Sequence, residues 1–230
     1  AALGAGKAGL ILTADDASGG ADLDTLATIE SVVGSARADY IALGAGGMTA
    51  SGGVGNDTIV GGAGADTITG GAGLDRLTGG AEADTFVLEQ VASSAGADTI
   101  IEFVSGTDKL NVDGALDTGD VTLVSSAFTA WAGDATATDN AIVNITSAAT
   151  INATNTAAKF EASDSDGAKM VLADGHQVIV IVQDDDATAS TDYDAVVYNV
   201  DNTGDTITAT LIATLDNASD SSSLVVGDFI

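Results

Sequence analysis

The sequence predicts an all-β protein, with a coil of short parallel strands built from repeats in its first half and a second β-rich region behind it. Three observations carry that expectation. A nine-residue unit recurs without a break from Gly34 to Val87, and a fixed short period marks a fold made by stacking one small unit on copies of itself. The chain has 29 glycines and no proline among 230 residues, and glycine is the residue that lets a backbone turn tightly. Past residue 120, runs rich in Val, Ile and Thr stand between polar clusters, the pattern of strands and their turns.

The repeat is clearest from Gly52, where the chain reads GGVGNDTIV, GGAGADTIT, GGAGLDRLT and GGAEADTFV. Two worn units precede these in the same frame, LGAGGMTAS from Leu43 and GSARADYIA from Gly34. Each position has a physical task. The glycines permit positive φ, so the turn closes and its carbonyls face inward. The sixth residue, Asp57, Asp66, Asp75 or Asp84, supplies a hard oxygen donor of the kind calcium takes. The eighth, Ile59, Ile68, Leu77 or Phe86, points inward from a short strand, and the threonines beside it suit a pleated surface. A flexible Gly/Asp linker has a similar composition but no reason to keep an apolar residue in phase at every ninth position.

These units resemble the RTX repeats of proteins exported by type I secretion systems. The resemblance implies a right-handed parallel β-roll in which two nonads make one coil and calcium sits between turns stacked on the same side. Carried onto this chain, it implies that Asp57 shares an ion with Asp75, Asp66 with Asp84, and Asp39 with Asp57. It also adds backbone oxygens from Gly53, Gly55, Gly62, Gly64, Gly71 and Gly73. Met48 stands at an aspartate position, so the site between its turn and Asp66 is expected to be weak or absent. Glu82 replaces a glycine, which puts the geometry of the last turn in question. Behind the repeats, ADTIIEF from Ala97 and SGTDKL from Ser105 resemble the segment that caps such rolls. Asp98, Glu102 and Asp108 are candidates for one further calcium site there, with solvated loop acids as the alternative for Asp108.

The rest of the chain is less patterned. Val143–Thr146, Gln177–Val182, Ala195–Val200 and Thr206–Leu215 read as strands, and Asp201–Asp205 as a hairpin turn. Trp131 is expected to pack against a sheet. The acid runs Asp184–Asp186 and Asp192–Asp194 read as solvated loop, with calcium binding as the alternative. Asp164-Ser165-Asp166-Gly167 is too short for an EF-hand loop. The closing Leu224-Val225-Val226-Gly227-Asp228-Phe229-Ile230, behind such repeats, resembles the C-terminal signals that type I ABC exporters read.

Charge and composition narrow the function classes. Six Lys+Arg against 34 Asp+Glu leave a formal charge of −28, which opposes compaction unless cations answer it and argues against a nucleic-acid partner. There is no cysteine, hence no disulfide framework or thiolate site. The longest aliphatic run, Val178–Val182, is far too short to span a bilayer. The single His176 has no HExxH neighbour and no serine lies in GxSxG, so no catalytic constellation is expected. The Ala1 end lacks a starting Met and the layout of a signal peptide, as expected of a fragment or processed chain.

The expected organisation is a lead-in over 1–33, a calcium-binding roll with its cap over 34–120, a β-rich region of sandwich-like or antiparallel type over 121–215, and an export segment over 216–230. The expected function is non-catalytic: a structural module of a secreted, surface-layer-like bacterial protein that folds and assembles on several Ca2+ ions. Its expected partners are like subunits, surface polysaccharide and the exporter. The alternative is the export and folding domain of an RTX hydrolase or adhesin.

Overall fold

The computed structural model describes residues 10–11, 30–89, 97–112, 122–123, 135–136, 141–146, 160–161, 170–171, 177–183, 195–204, 206–216 and 228–230. Strands form where the eighth residues of the nonads fall, and alternate nonads feed alternate sheets. The first sheet is parallel and six-stranded: β1 (Leu10–Ile11), β2 (Ser31–Val33), β4 (Thr49–Val54), β6 (Thr67–Ala72), β8 (Thr85–Val87) and β10 (Lys109–Asn111). Opposite it lie β3 (Tyr40–Ala42), β5 (Thr58–Gly62), β7 (Arg76–Gly80) and β9 (Asp98–Ile101), also parallel. Thr49 is in register with Thr67 and Thr58 with Arg76, so two nonads make one coil. This is the parallel β-roll that the repeat implied.

Side chains alternate across a strand, so the eighth residue of each nonad turns inward. Val32, Ala50, Ile68, Phe86 and Leu110 stack along the first sheet, and Ile41, Ile59, Leu77 and Ile100 along the second. None is more than 1% exposed. Full burial of such a side chain contributes about 1.5–3 kcal/mol, and this stack is the hydrophobic core of the coil. The coil begins ahead of Gly34: β2 pairs with β4, and Val32 faces Ala50. The nonad before Gly34 has no glycine, so its strand carries no repeat signature although its backbone takes the repeat's place.

The C-terminal strands extend the second sheet. β11 (Thr122–Leu123), β13 (Ala141–Thr146), β16 (Gln177–Gln183), β17 (Ala195–Thr203) and β18 (Thr206–Asp216) join it in the order β11-β13-β16-β17-β18-β9-β7-β5-β3. The expected antiparallel strands are present as β16, β17 and β18, while β18 meets the roll by pairing parallel with β9. β12 (Ala135–Thr136), β14 (Phe160–Glu161) and β15 (Met170–Val171) form a small parallel sheet. The β17–β18 turn is tighter than the expected Asp201–Asp205. The ladder continues to Thr203 opposite Thr206, the Thr208 hydroxyl donates to Asp201 Oδ1 across it at 2.6 Å, and Gly204 turns the chain at φ 59°. Trp131, Asp164–Gly167, His176, Asp184–Asp186 and Asp192–Asp194 lie outside the described residues.

Candidate metal centre

Because the nonads stack at an 18-residue offset, their sixth residues form two ladders, one on each side of the roll. On one side the Asp39 N–H donates to Asp57 Oδ1 at 2.7 Å, Asp57 N–H to Asp75 Oδ1 at 2.7 Å, and Asp75 N–H to Asp98 Oδ1 at 3.1 Å. On the other, Met48 N–H donates to Asp66 Oδ1 at 2.7 Å, Asp66 N–H to Asp84 Oδ1 at 2.8 Å, and Asp84 N–H to Asp108 Oδ1 at 3.0 Å. Each aspartate thus uses one oxygen to tie its turn to the turn before it. Asp39, Asp57, Asp66, Asp75, Asp84 and Asp108 are all buried.

The second oxygens identify what the ladders are for. Asp57, Asp66, Asp75 and Asp84 each keep a buried Oδ2 that accepts no hydrogen bond, and Asp39 an Oδ1. A buried carboxylate oxygen with no partner costs free energy that a folded chain recovers only from a cation or a donor. The four Oδ2 atoms lie against the first glycine of their own nonad. A Cβ at Gly61 would stand 2.6 Å from Asp66 Oδ2 and would also meet the Gly79 carbonyl oxygen; one at Gly70 would stand 2.5 Å from Asp75 Oδ2 and 2.8 Å from Asp98 Oδ2. Carboxylate and carbonyl oxygens crowded together where only glycine fits are donors of the kind calcium takes, since it binds hard oxygens and tolerates irregular geometry. Among the described residues no three His, Cys, Asp or Glu side chains gather at one point. A cation here would therefore draw on carboxylates from two stacked turns and on backbone oxygens.

Among the first glycines, the carbonyl oxygens of Gly52, Gly70 and Gly79 stand against the turn before them. The glycines singled out from the sequence govern stacking. A Cβ on Gly53, Gly55, Gly62, Gly64, Gly71 or Gly73 would collide with backbone 18 residues earlier, so these positions let one turn stack on the next. The Gly62 carbonyl accepts from Ala81 N–H at 2.9 Å, within the ladder between turns. Glu82, where a glycine was expected, takes φ 74°. Gly55 and Gly73 at the same position take 132° and 155°, so the last turn departs from the repeat's geometry and bears the steric cost of an L residue at positive φ.

The expected pairs Asp57/Asp75, Asp66/Asp84 and Asp39/Asp57 are brought together. Met48 keeps the backbone link to Asp66 but buries its side chain in the core, so that rung has one carboxylate. Asp98, Glu102 and Asp108 do not converge on one site. Asp98 ends one ladder and Asp108 the other, while Glu102 is exposed with φ 58°. The reason is the repeat itself: β9 and β10 continue opposite sheets, so their acids continue opposite ladders.

Without a cation these carboxylates resist ionisation. Burial, with the charges of Asp75 and Asp39, pushes Asp57 up to about 6 against its amide hydrogen bond. Burial, with Asp108 and Asp66, does the same to Asp84, and Asp98 rises to about 7, chiefly by burial. A group whose folded pKa is raised holds its proton in the folded chain where the unfolded chain has lost it. Its stabilising effect is whole below the unfolded value of 3.8 and is lost as pH rises through about 6 to 7. In chelator, circular dichroism is expected to show less β-structure at about pH 7.5 than at about pH 4.5. Metal-free β-structure that increases over that interval would contradict the ladder electrostatics.

Stacked parallel strands and ladders of buried carboxylates define a parallel β-roll with a candidate metal site on each side. The family model of the RTX calcium-binding nonapeptide repeat, in four copies, matches residues 51–86: the chain carries RTX calcium-binding repeats. Among solved structures it is similar to the AlgE6R3 subunit of the Azotobacter vinelandii mannuronan C5-epimerase, at 18% identity over 84% of this chain and 78% of that one, with a TM-score of 0.43. No curated protein matches it. Among the described residues no helix is long and apolar enough to cross a membrane.

Proposed function

We propose that this chain is a non-catalytic, calcium-binding structural module of a secreted bacterial surface or extracellular-matrix protein, which folds when it meets calcium outside the cell. The observation that carries this reading is the row of buried carboxylate oxygens without hydrogen-bond partners. In it, ions lie between Asp39 and Asp57, Asp57 and Asp75, and Asp75 and Asp98 on one side, and between Asp66 and Asp84, and Asp84 and Asp108 on the other. Where free calcium is low, the acids repel and the glycine-rich chain stays loose enough to pass a type I exporter, with 216–230 as the segment presented to it. Outside, metal binding and folding of 34–120 become one event.

The surface role rests on composition. At −28, copies repel one another unless divalent cations bridge them or tie them to acidic surface polysaccharide. Sedimentation velocity of the whole chain, with calcium varied at constant ionic strength, tests this. Growth into larger species with calcium but not magnesium is the expected result. A chain that folds with calcium yet stays monomeric at every concentration would overturn the assembly role and leave the module as the export and folding domain of a hydrolase or adhesin.

A further inference from the structure

The end of the roll is closed by residues that arrive from far along the chain. On the second sheet Leu215 of β18 stands in register with Ile100. On the first, Phe229 bridges Leu110 in parallel and is 6% exposed. Ile230 N–H donates to the Leu110 carbonyl at 3.0 Å, and Val112 N–H to the Ile230 carbonyl at 3.2 Å. Residues 213–216 thereby continue one sheet as a strand, and Phe229 continues the other by a single bridge.

Asp228 holds this segment in place. It is fully buried; its Oδ1 accepts from Gly106 N–H at 2.7 Å and its Oδ2 from the Ser105 hydroxyl at 2.8 Å, across 122 and 123 residues. Both donors belong to the 104–108 loop, which Asp108 shapes. Asp108 Oδ2 accepts from Val104 N–H at 2.8 Å, and the N–H groups of Thr107 and Asp108 return to the Val104 carbonyl at 3.0 and 2.8 Å. The same Asp108 receives Asp84 N–H on Oδ1. One path of hydrogen bonds therefore runs from the carboxylate ladder through Asp108 and its loop to Asp228. Burying a carboxylate is favourable only where its donors are already placed, and an unshaped loop places none.

We propose that Asp228-Phe229-Ile230 is a latch on the 104–108 loop, which closes only after the carboxylate ladder has ordered that loop. Asp228 and Phe229 are open to other molecules in the unfolded chain and buried in the folded one, while Ile230 stays half exposed and is held by its backbone. Calcium as the trigger rests on the function proposed above; the latch itself does not.

Hydrogen exchange of the whole chain, read by mass spectrometry with calcium and with chelator, separates the two. With calcium, peptides covering 104–112 and 226–230 are expected to be protected together with those covering 58–80. In Asp228→Ala the 58–80 peptides stay protected. The other two exchange at least about tenfold faster, the factor that ~1.4 kcal/mol of docking free energy produces. The latch is overturned if Asp228→Ala leaves both regions protected. It is equally overturned if the variant unfolds 58–80 as well, or if the native 226–230 peptide exchanges freely beside a protected roll. Equal protection of 58–80 in chelator and in calcium would remove the trigger, while the contrast between native chain and variant still decides the latch.

Discussion

Stripped of calcium at about pH 7.5, the chain is expected to lose the β-structure of residues 31–111 and to regain it cooperatively when calcium, but not magnesium, is returned. Each ladder rung then buries carboxylates whose second oxygens have no partner, and burial together with neighbouring acids disfavours their charge. At roughly a hundred times a site's dissociation constant, an ion bound only by the folded state adds about 2.7 kcal/mol. Two or three such sites equal the whole net stability of a small domain, about 5–15 kcal/mol. The glycine-rich turns deepen the dependence, because glycine loses more backbone freedom on ordering than any other residue. Magnesium is the informative control: it demands a near-ideal octahedron and sheds water reluctantly, which a gap shaped by stacked glycine turns does not offer. Circular dichroism of the whole chain is the measurement. A spectrum that calcium leaves unchanged would mean that the ladders stand without metal, and the proposed folding switch would fall.

Truncating Phe86 to alanine is the single change expected to cost most with calcium saturating, about 3–5 kcal/mol. The ring is fully buried, in register between Ile68 and Leu110, and its centroid lies 6.1 Å from that of Phe103 at a tilt of 46°. It stands where the regular nonads give way to the closing segments, so the space it leaves is bounded by stacked backbone that cannot collapse into it. Val87→Ala, one residue on and facing outward, serves as the comparison and should cost less than about 1 kcal/mol. Denaturant titration in saturating calcium gives both values. A Phe86→Ala loss no larger than that of Val87→Ala would mean that the apolar stack does not bear on stability once calcium is bound.

The two expectations concern different links in one design. The apolar stack is continuous, whereas the flanking turns stack carboxylates whose burial and mutual repulsion disfavour their charge. On the proposed function, calcium decides whether the coil forms, and the stack decides how firmly it holds once formed. The pH expectation follows from the same division, since protons and calcium answer the same oxygens.

What the sequence by itself determined is the periodic part of the molecule. A nine-residue period places an aspartate, an apolar residue and glycines at constant offsets, and the resemblance to RTX repeats implied two nonads per coil and so which aspartates meet: Asp57 with Asp75, Asp66 with Asp84. Met48 was legible as a defect for the same reason. The coil's first strand was not, because Val32 belongs to a nonad without glycine and is recruited by its pairing with Ala50. Only the tertiary structure could divide Asp98 from Asp108, since that depends on which sheet each strand joins, and the regular spacing stops there: the offsets become 23 and 24 residues. It also decided that the unpartnered Oδ2 atoms lie against the first glycines of the nonads, a matter of how the turns stack. Finally, it brought Leu215 and Phe229 back to close the roll. Local pattern reads contacts that repeat at a fixed offset; a contact made once, across more than a hundred residues, leaves no period to read.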